Sequence, residues 1–412
     1  MCLWLRICER KLVADSLVLY TAIHQPLPLR MPAIPMPLGA EPEDVERCIF
    51  DLRAAEEAFR EVVGPTYGPA LHELAVIAEE GTPLSVSVSD GFLEMSGRWC
   101  RELIGPTGQL LRAPSVEPVV TDPKYGFLFA FDIGRFVEVM EEARARAVLF
   151  ADRPIRSTEV SGFCINHELY HSVGRLGFAA IAAEGDAGVT RGRHPGHLVR
   201  FGEGPIVIHR MQWLSDEFDY RLRAGAYDPE KMADVAAGLP GEAALISFDF
   251  DSLAFAAGGP ASGARFLSSL ARACLARGVK PLTISEAAFG FAARAAEQAP
   301  PLATAMSGLS PEEARENGSV ERAIFDRMLQ AYEMARLAHR PEVLGICDWL
   351  LQRTNVSVPG MAADTEGRPL TYWRAGWWRS DRNYEDTAKQ VLAAYDNFIQ
   401  ASSWYARGEI VT

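Results

Sequence analysis

Apolar and polar residues follow two alternating patterns from the start of the chain to about residue 295. Short runs rich in β-branched residues predict strands, and longer stretches with apolar residues three and four positions apart predict amphipathic helices. The predicted strands are Ser16–Ile23, Leu84–Ser89, Ile155–Thr158, Phe178–Ala183, Pro205–His209, Ala244–Phe248 and Pro281–Ile284. The predicted helices are Pro42–Glu61, Tyr67–Glu79, Gly91–Leu103, Arg135–Ala147, Ile165–Leu176, Pro229–Ala236 and Gly263–Ala276. Strands and helices that alternate with short links favour a parallel sheet or barrel over separate layers.

The pattern changes after Gln298-Ala299-Pro300-Pro301, where the strand-like runs end. Ser310-Pro311-Glu312-Glu313 combines a serine cap, an early proline and a glutamate, which is typical of a helix start. Long helices are predicted at Val320–Ala338, Glu342–Gln352 and Tyr384–Ser402. Since 412 residues exceed a usual single domain, we predict three parts. They are an N-terminal extension over residues 1–15, an α/β barrel over 16–298 and a helical domain over 299–412.

Composition limits the partners that this chain can bind. Its 54 acidic and 41 basic residues give a formal net charge of −13, and its hydrophobic content of 48% supports a large core. Nucleic acids and anionic membranes attract basic surfaces, which displace their counterions, so neither is an expected partner. No stretch approaches the roughly 18 uncharged apolar residues that a membrane span requires. The negative charge does not exclude neutral ligands such as sugars.

The cysteines are scattered and include no CxxC pair: Cys2, Cys8, Cys48, Cys100, Cys164, Cys274 and Cys347. This spacing argues against a disulfide framework and against a cysteine-bound zinc, and it favours a reducing compartment, the cytoplasm. The apolar stretch from Met1 to Cys8 is short and interrupted by Arg6, so we do not expect it to act as a signal peptide.

Two acidic residues each end an apolar strand-like run. Glu159 follows Arg156-Ser157-Thr158, and Asp249 follows Leu245-Ile246-Ser247-Phe248. A carboxyl group at the end of a buried strand is costly unless it is paired or used, and strand ends of a barrel meet at one face. A retaining glycosidase needs such a pair, one carboxylate to attack and one carboxylic acid to donate a proton. The alternative is structural: Glu159 caps the following helix and Asp249 forms an ion pair.

Several motifs, taken in their order along the chain, resemble those of the family 57 glycoside hydrolases, in particular their α-amylase-like branch. The matched segments are His24-Gln25-Pro26 with Arg30, Ser85-Val86-Ser87-Val88-Ser89, Arg156-Ser157-Thr158-Glu159, Leu176-Gly177-Phe178, Glu184-Gly185, Leu214-Ser215-Asp216 and Phe248-Asp249-Phe250-Asp251. The resemblance covers most of the chain. It implies a distorted parallel (β/α)7-type barrel, followed by a helical bundle that closes one side of the cleft.

The resemblance also implies roles for individual residues. Glu159 is the expected nucleophile and Asp249 the expected acid/base, acting on α-glucosidic bonds without a metal or an organic cofactor. The expected substrate-binding residues are His24, Gln25, Arg30, Trp213, Asp216 and Asp251. Trp213 would stack on a pyranose ring, with a place in the core as its alternative. The expected partner is an α-glucan or oligosaccharide, and the oligomeric state stays open.

Some motifs depart from the family pattern. Asp251-Ser252-Leu253-Ala254-Phe255-Ala256 stands where the family has Glu-Thr-Phe-Gly-Glu-His, and Ser115-Val116-Glu117-Pro118 lacks a usual histidine. Gln352-Arg353-Thr354-Asn355-Val356 replaces Gln-Thr-Ser-Asp-His. Because these changes affect substrate positioning, a non-catalytic or specialised glucan-binding relative of the same fold is a second hypothesis. The aromatic run from Tyr372 to Trp378 could stack on a glucan or pack between the domains.

A third hypothesis comes from His167-Glu168-Leu169-Tyr170-His171, which is a literal HExxH. On a helix its histidines share a face and could hold zinc while Glu168 activates water, and Gly174 extends the match. The position of the third histidine in that pattern is Gly177, however. An Asn-x-Glu also occurs at this place in the glycosidases, so half of the motif is expected without a metal.

Overall fold

Runs of apolar and small residues form short strands, and most of these runs end in a polar residue. The computed structural model describes residues 14–185, 190, 192–290, 294–296, 319–356 and 384–408. Its strands are β1 (Ser16–Ile23), β2 (Leu84–Val88), β3 (Val116–Val120), β4 (Ser157–Glu159), β5 (Ala180–Glu184), β6 (Val199–Arg200), β7 (Ile206–Arg210), β8 (Ala243–Asp249), β9 (Lys280–Leu282) and β10 (Arg294–Ala296).

Seven of these strands close into a parallel barrel in the order β1-β2-β3-β4-β5-β7-β8. β8 returns to β1, where Asp249 stands opposite Ala22. β7 meets β8 through the pair Arg210 and Leu245, which completes the circle. Outside this path, β6 is antiparallel to β7, β10 pairs with β6, and β9 pairs with the first half of β1. The predicted (β/α)7-type barrel is confirmed.

Alternate residues of the strands point into the barrel, as the pleat of a strand requires. They form an inner apolar cluster that includes Val18, Tyr20, Val119, Ala180, Ala182, Ile208, Ala243 and Leu245. The intervening residues pack outward against the helices in a second, larger cluster. Glu159 pairs in register with Ala182, and Asp249 continues the alternation of Ala243 and Leu245. Both carboxyl side chains therefore belong to the inner face, at the carboxyl end of the barrel.

Helices surround the barrel. In chain order they are α1 (Pro42–Ile49), α2 (Leu52–Ala58), α3 (Gly64–Glu79), α4 (Asp90–Trp99), α5 (Ile104–Arg112), α6 (Leu128–Phe131), α7 (Ile133–Ala151), α8 (His167–Arg175), α9 (Gln212–Ala224), α10 (Pro229–Gly238), α11 (Phe250–Ala254), α12 (Pro260–Ala276) and α13 (Ile284–Gly290). The C-terminal part contributes α14 (Ser319–Leu337), α15 (Pro341–Leu350) and α16 (Tyr384–Ala406).

Three sequence predictions need correction. The third barrel strand, β3, was not predicted, because Glu117 and Pro118 interrupt its apolar run. The single helix expected over Pro42–Glu61 is divided after Ile49, since Asp51 caps a new helix by accepting a hydrogen bond from the backbone N–H of Ala54. The strand expected at Pro281–Ile284 is the short β9, which lies beside β1 and outside the barrel circle.

The C-terminal part meets the barrel through the segment after α15. The backbone N–H of Phe127 donates to the carbonyl of Leu351 at 3.0 Å, and Gly126 forms a β-bridge with Gln352. The expected domain boundary at residues 298/299, the helix start at Ser310 and the aromatic run Tyr372–Trp378 lie outside the described residues, so those predictions stand untested. Among the helices of the described chain, none combines the length and apolar character that a bilayer span requires.

Candidate active site

Glu159 ends β4, and its side chain is fully buried at the carboxyl end of the barrel. Its Oε2 accepts hydrogen bonds from the hydroxyls of Thr121 at 2.7 Å and Tyr20 at 3.2 Å. Its Oε1 accepts from the backbone N–H of Phe163 at 2.9 Å and from the Tyr125 hydroxyl at 3.4 Å. These donors come from different elements and fix the orientation of one carboxylate.

The loop after β4 folds back over this carboxylate. Gly162 has a φ of 71°, a left-handed conformation that glycine adopts at low cost, and the turn brings the Phe163 N–H onto Oε1. Burial raises the pKa of Glu159, while the hydrogen bonds from Phe163, Thr121 and Tyr20 and the charge of Arg353 oppose that rise. The donors therefore favour the ionised form that a nucleophile needs.

Asp249 ends β8 on the far side of the barrel mouth. Two strands, β5 and β7, separate β8 from β4 on one side of the circle, and three separate them on the other. The half-buried Asp249 accepts a 3.1 Å hydrogen bond from the N–H of Asp251, and its own N–H donates to Asp219 Oδ1 at 2.8 Å. Burial and the carboxylates of Asp251 and Asp219 hold the pKa of Asp249 well above its usual range. The protonated form is thus favoured here.

Gln25 and Asp251 meet through a residue that the sequence did not predict. The Tyr67 hydroxyl donates a short hydrogen bond to Asp251 Oδ1 and accepts another from the Gln25 side-chain amide. All three side chains are buried. Burial and the Asp251 charge raise the pKa of Tyr67 well above its usual value, so the hydroxyl keeps its proton as a donor. This network holds Asp251, whose N–H donates to Asp249.

His24 is buried beside Tyr125, one of the hydrogen-bond donors to Glu159. Its Nδ1 lies 2.7 Å from Ser89 Oγ, and its ring stacks on Tyr125 with centroids 5.1 Å apart. Burial, assisted by the charge of Lys124, lowers the pKa of His24 to about 3, so the ring is neutral. Because Tyr125 also contacts Glu159, the structure brings His24 to the predicted site.

Arg30 forms its hydrogen bonds with the backbone of helix α1. Its Nε donates to the carbonyl of Arg47 at 2.9 Å, in the last turn of the outer helix α1. Its backbone N–H also donates to the carbonyl of Ile49. The side chain therefore serves the junction between the β1 loop and α1 in this structure.

Asp216 and Trp213 lie on α9, which follows β7. Asp216 accepts a 2.7 Å hydrogen bond from the buried Arg210, and Arg210 also lies 3.5 Å from Glu184 at the end of β5. Trp213 is 54% exposed in the first turn of the helix, so the core alternative for this residue is wrong. Asp216 thus borders the barrel mouth through Arg210, and Trp213 offers an open ring face.

The HExxH sequence forms part of α8, as its spacing predicts. His167 and His171 are exposed with ring centroids 4.5 Å apart, and Glu168 is exposed beside them. The described residues contain no cluster of three or more histidine, cysteine, aspartate or glutamate side chains able to hold a metal ion.

The sequence of this chain is similar to that of a known protein over about half of its length. No family model matches the chain. A protein of Methanocaldococcus jannaschii named "Putative alpha-amylase" is 24% identical over 212 residues, which cover 49% of this chain and 45% of that protein.

Solved structures resemble the whole architecture. The 4-alpha-glucanotransferase of Thermococcus litoralis has a TM-score of 0.56 at 15% identity over 83% of this chain and 55% of its own. The GH57-type branching enzyme of Pyrococcus horikoshii has a TM-score of 0.54 at 12% identity over 96% of this chain and 87% of its own. The chain has the family 57 fold. The resemblance seen in the motifs is confirmed, in a divergent form.

The match of this chain to the first of these relatives is partial. The aligned region spans about half the length of the Methanocaldococcus protein and of the glucanotransferase. At these identities the structural likeness shows the fold. The roles of individual side chains rest on the geometry given above.

The sequence analysis did not identify several side chains of the site. Thr121 and Tyr125 donate to Glu159, and Asp219 and Tyr67 surround Asp249 and Asp251. Thr121 follows the apolar run of β3, so a polar residue at a strand end was the available signal. Tyr67 and Asp219 lie within helices, where no spacing marks them as part of the site.

Proposed function

We propose that this protein is a retaining glycoside hydrolase or transglycosylase that acts on α-glucosidic bonds. In this proposal Glu159 is the nucleophile and Asp249 is the acid/base. The observation that carries it is the contrast between two carboxyl groups at one barrel mouth. Hydrogen-bond donors around Glu159 oppose the pKa rise that burial causes, whereas the two carboxylates beside Asp249 add to that rise.

This difference between the two surroundings suits the two steps of retention. Glu159 attacks the anomeric carbon and forms a glycosyl ester, while the bond to the leaving oxygen breaks and Asp249 gives that oxygen its proton. Asp249, now ionised, takes a proton from water or from a sugar hydroxyl. The resulting oxygen attacks the anomeric carbon and releases Glu159. Water gives hydrolysis, and a sugar hydroxyl gives transfer.

The comparisons support an α-glucan as the substrate class. The similar structures include a 4-alpha-glucanotransferase and a branching enzyme, and the similar sequence is named as an alpha-amylase. We propose that Trp213 provides a stacking face at the rim and that His24, a neutral donor or acceptor beside Tyr125, contacts sugar hydroxyls.

The test uses the full chain with a panel of α-glucans and aryl α-glycosides, and anomers of the products are followed by NMR. Glu159→Gln should abolish turnover and keep ligand affinity, because the amide preserves shape and removes the attacking charge. Asp249→Asn should lose activity on poor leaving groups and retain ester formation with α-glucosyl fluoride, whose departure needs no proton. Inverted product, or no turnover of any sugar by the wild type, would contradict the proposal.

Glu168→Gln is the matched control for Glu159→Gln. Glu168 is an exposed glutamate in α8 and is the expected base of the HExxH hypothesis. The proposal predicts unchanged turnover for this variant. Loss of activity in Glu168→Gln together with full activity in Glu159→Gln would favour the metal hydrolase instead. A protein that binds glucans with no turnover at all would be the non-catalytic relative.

A further inference from the structure

Arg353 carries a buried guanidinium that approaches the candidate site from the C-terminal part of the chain. The residue is 6% exposed. A Cβ placed on Gly162 would lie 1.3 Å from its Nη1, so the guanidinium occupies the space above the loop that folds over Glu159. Its Nη2 is enclosed and has no hydrogen-bond partner among the residues that the structure describes. A buried charged donor without a partner is costly, so this one calls for an explanation.

The two carboxylates that interact electrostatically with Arg353 already have other hydrogen-bond partners. The charge of Arg353 acts on Glu159 and on Glu184, which end the neighbouring strands β4 and β5. Glu159 accepts hydrogen bonds at both oxygens, and Glu184 accepts one from the N–H of Gly185 and lies 3.5 Å from Arg210. The position of Arg353 beside both strand ends places its guanidinium at the barrel mouth.

Backbone contacts hold Arg353 in this place. Its N–H donates to the carbonyl of Tyr125 at 3.1 Å, and Tyr125 in turn contacts Glu159. The preceding Gln352 exchanges two hydrogen bonds with the backbone of Leu27, in the loop that begins with His24. The backbone of Arg353 is therefore held in place before any ligand enters, which reduces the entropy cost of binding.

We propose that Arg353 forms a subsite for an anionic substituent on the sugar, a carboxylate or a phosphate, beside the nucleophile. This inference rests on the proposed function and names its substrate class: an α-linked uronic acid or a phosphorylated α-glucoside. A guanidinium binds either anion through paired N–H donors. Because only the backbone of Arg353 is held, the side chain can turn toward the anion, which then supplies the partner that the enclosed Nη2 lacks.

The test measures binding by calorimetry to the full-length Glu159→Gln variant, which keeps the ligand intact. The probes are 4-nitrophenyl α-D-glucoside, 4-nitrophenyl α-D-glucuronide and the 6-phosphorylated α-glucoside. At least one anionic probe should bind tenfold or more tightly than the neutral one, and which of the two does so identifies the substituent. Equal affinities for all three, or an affinity for inorganic phosphate that equals the affinity for the sugar phosphate, would overturn the proposal.

Variants at Arg353 provide the second arm. Arg353→Met should remove the preference for the anionic probe, and Arg353→Lys should keep part of it, since the charge remains and the planar fork is lost. Arg272→Met, at an exposed arginine of α12, is the matched control and should keep the full preference. A preference that survives in Arg353→Met would overturn the proposal. The comparison of the three probes uses protein that keeps Arg353. Its result therefore holds even if an Arg353 variant fails to fold.

The two proposals can fail separately. Retaining turnover of neutral α-glucosides without tighter binding of either anionic sugar would leave the proposed function intact and remove the anionic subsite. Tight binding of an anionic sugar without turnover of any glycoside would leave the anionic subsite intact and remove the proposed function.

Discussion

The Thr121 hydroxyl, just after β3, donates a 2.7 Å hydrogen bond to Glu159 Oε2 at the end of the neighbouring strand β4. Thr121→Val removes this donor and keeps the side-chain shape. A hydrogen bond to a charged group contributes about 1.5–3 kcal/mol, so the pKa of Glu159 should rise further, by about one to two units. We expect the acid limb of the pH profile of kcat/KM to move by that amount to higher pH.

Thr21→Val is the control for this change. Thr21 is also a buried threonine of the barrel, and its hydroxyl has no hydrogen-bond partner among the described residues. Its removal should leave the acid limb in place and should not reduce the free energy of unfolding. Equal shifts in both variants would show that the Thr121 hydrogen bond does not tune Glu159.

Asp219 should set the basic limb of the same profile. Its carboxylate is one cause of the raised pKa of Asp249, and its Oδ1 accepts the Asp249 N–H. Asp219→Asn keeps an acceptor and removes the charge, so the pKa of Asp249 should fall. Because a general acid is active below its pKa, the basic limb of kcat/KM should move to lower pH. Asp234→Asn, at an exposed aspartate bound to Arg277, should not move it.

Gly162 should tolerate no side chain, for a reason beyond its backbone angle. Gly162→Ala puts a Cβ 1.3 Å from Arg353 Nη1, and Gly39→Ala has a similar φ of 73° with nothing within 4 Å. Both pay the left-handed strain of about 1–2 kcal/mol. We expect Gly162→Ala to lower the free energy of unfolding further and to reduce kcat. Equal unfolding free energies for the two variants would show that Arg353 moves away at no cost.

Gln352 should anchor the C-terminal part to the barrel. Its side chain accepts from the Leu27 N–H at 3.0 Å and donates to the Leu27 carbonyl at 2.5 Å. Gln352→Ala leaves both buried backbone groups unpaired, at a cost of about 2–5 kcal/mol in unfolding free energy. Asn397→Ala removes one hydrogen bond to the Ile34 carbonyl at an exposed site and should cost less than about 1 kcal/mol. Denaturant unfolding of both variants checks the difference.

Buried neutral histidines should make the stability depend on pH. Burial lowers the pKa of His24 to about 3 and that of His209 to about 4, while an unfolded histidine titrates near 6.5. Between these values the unfolded chain binds protons that the folded chain does not, so the contribution of each residue to stability falls as pH falls from about 7 to 4. His24→Gln should reduce the slope of unfolding free energy against pH in this range. His72→Gln, at an exposed histidine, should leave the slope unchanged.

Hydrophobic alternation predicted most of the barrel. β1 begins and ends at the residues that the pattern gave, Ser16 and Ile23, because a barrel strand is buried on both faces and its apolar run ends where burial ends. β3 escaped the same reasoning, since Glu117 and Pro118 break its run. In the structure the half-buried Glu117 accepts a 2.6 Å hydrogen bond from Ser157 Oγ of the neighbouring strand β4. A polar strand residue with a distant partner cannot be distinguished locally from a loop residue.

The linear chain by itself determined the strand and helix order, the placement of Glu159 and Asp249 at strand ends, and the likeness to one enzyme family. These follow from local periodicity and from short motifs, which need no knowledge of distant contacts. Only the tertiary structure decided which donors surround Glu159, which carboxylates adjoin Asp249, and that Arg353 reaches the barrel mouth. Those partners come from elements far apart along the chain, and the closure of the barrel and the docking of the C-terminal segment bring them together.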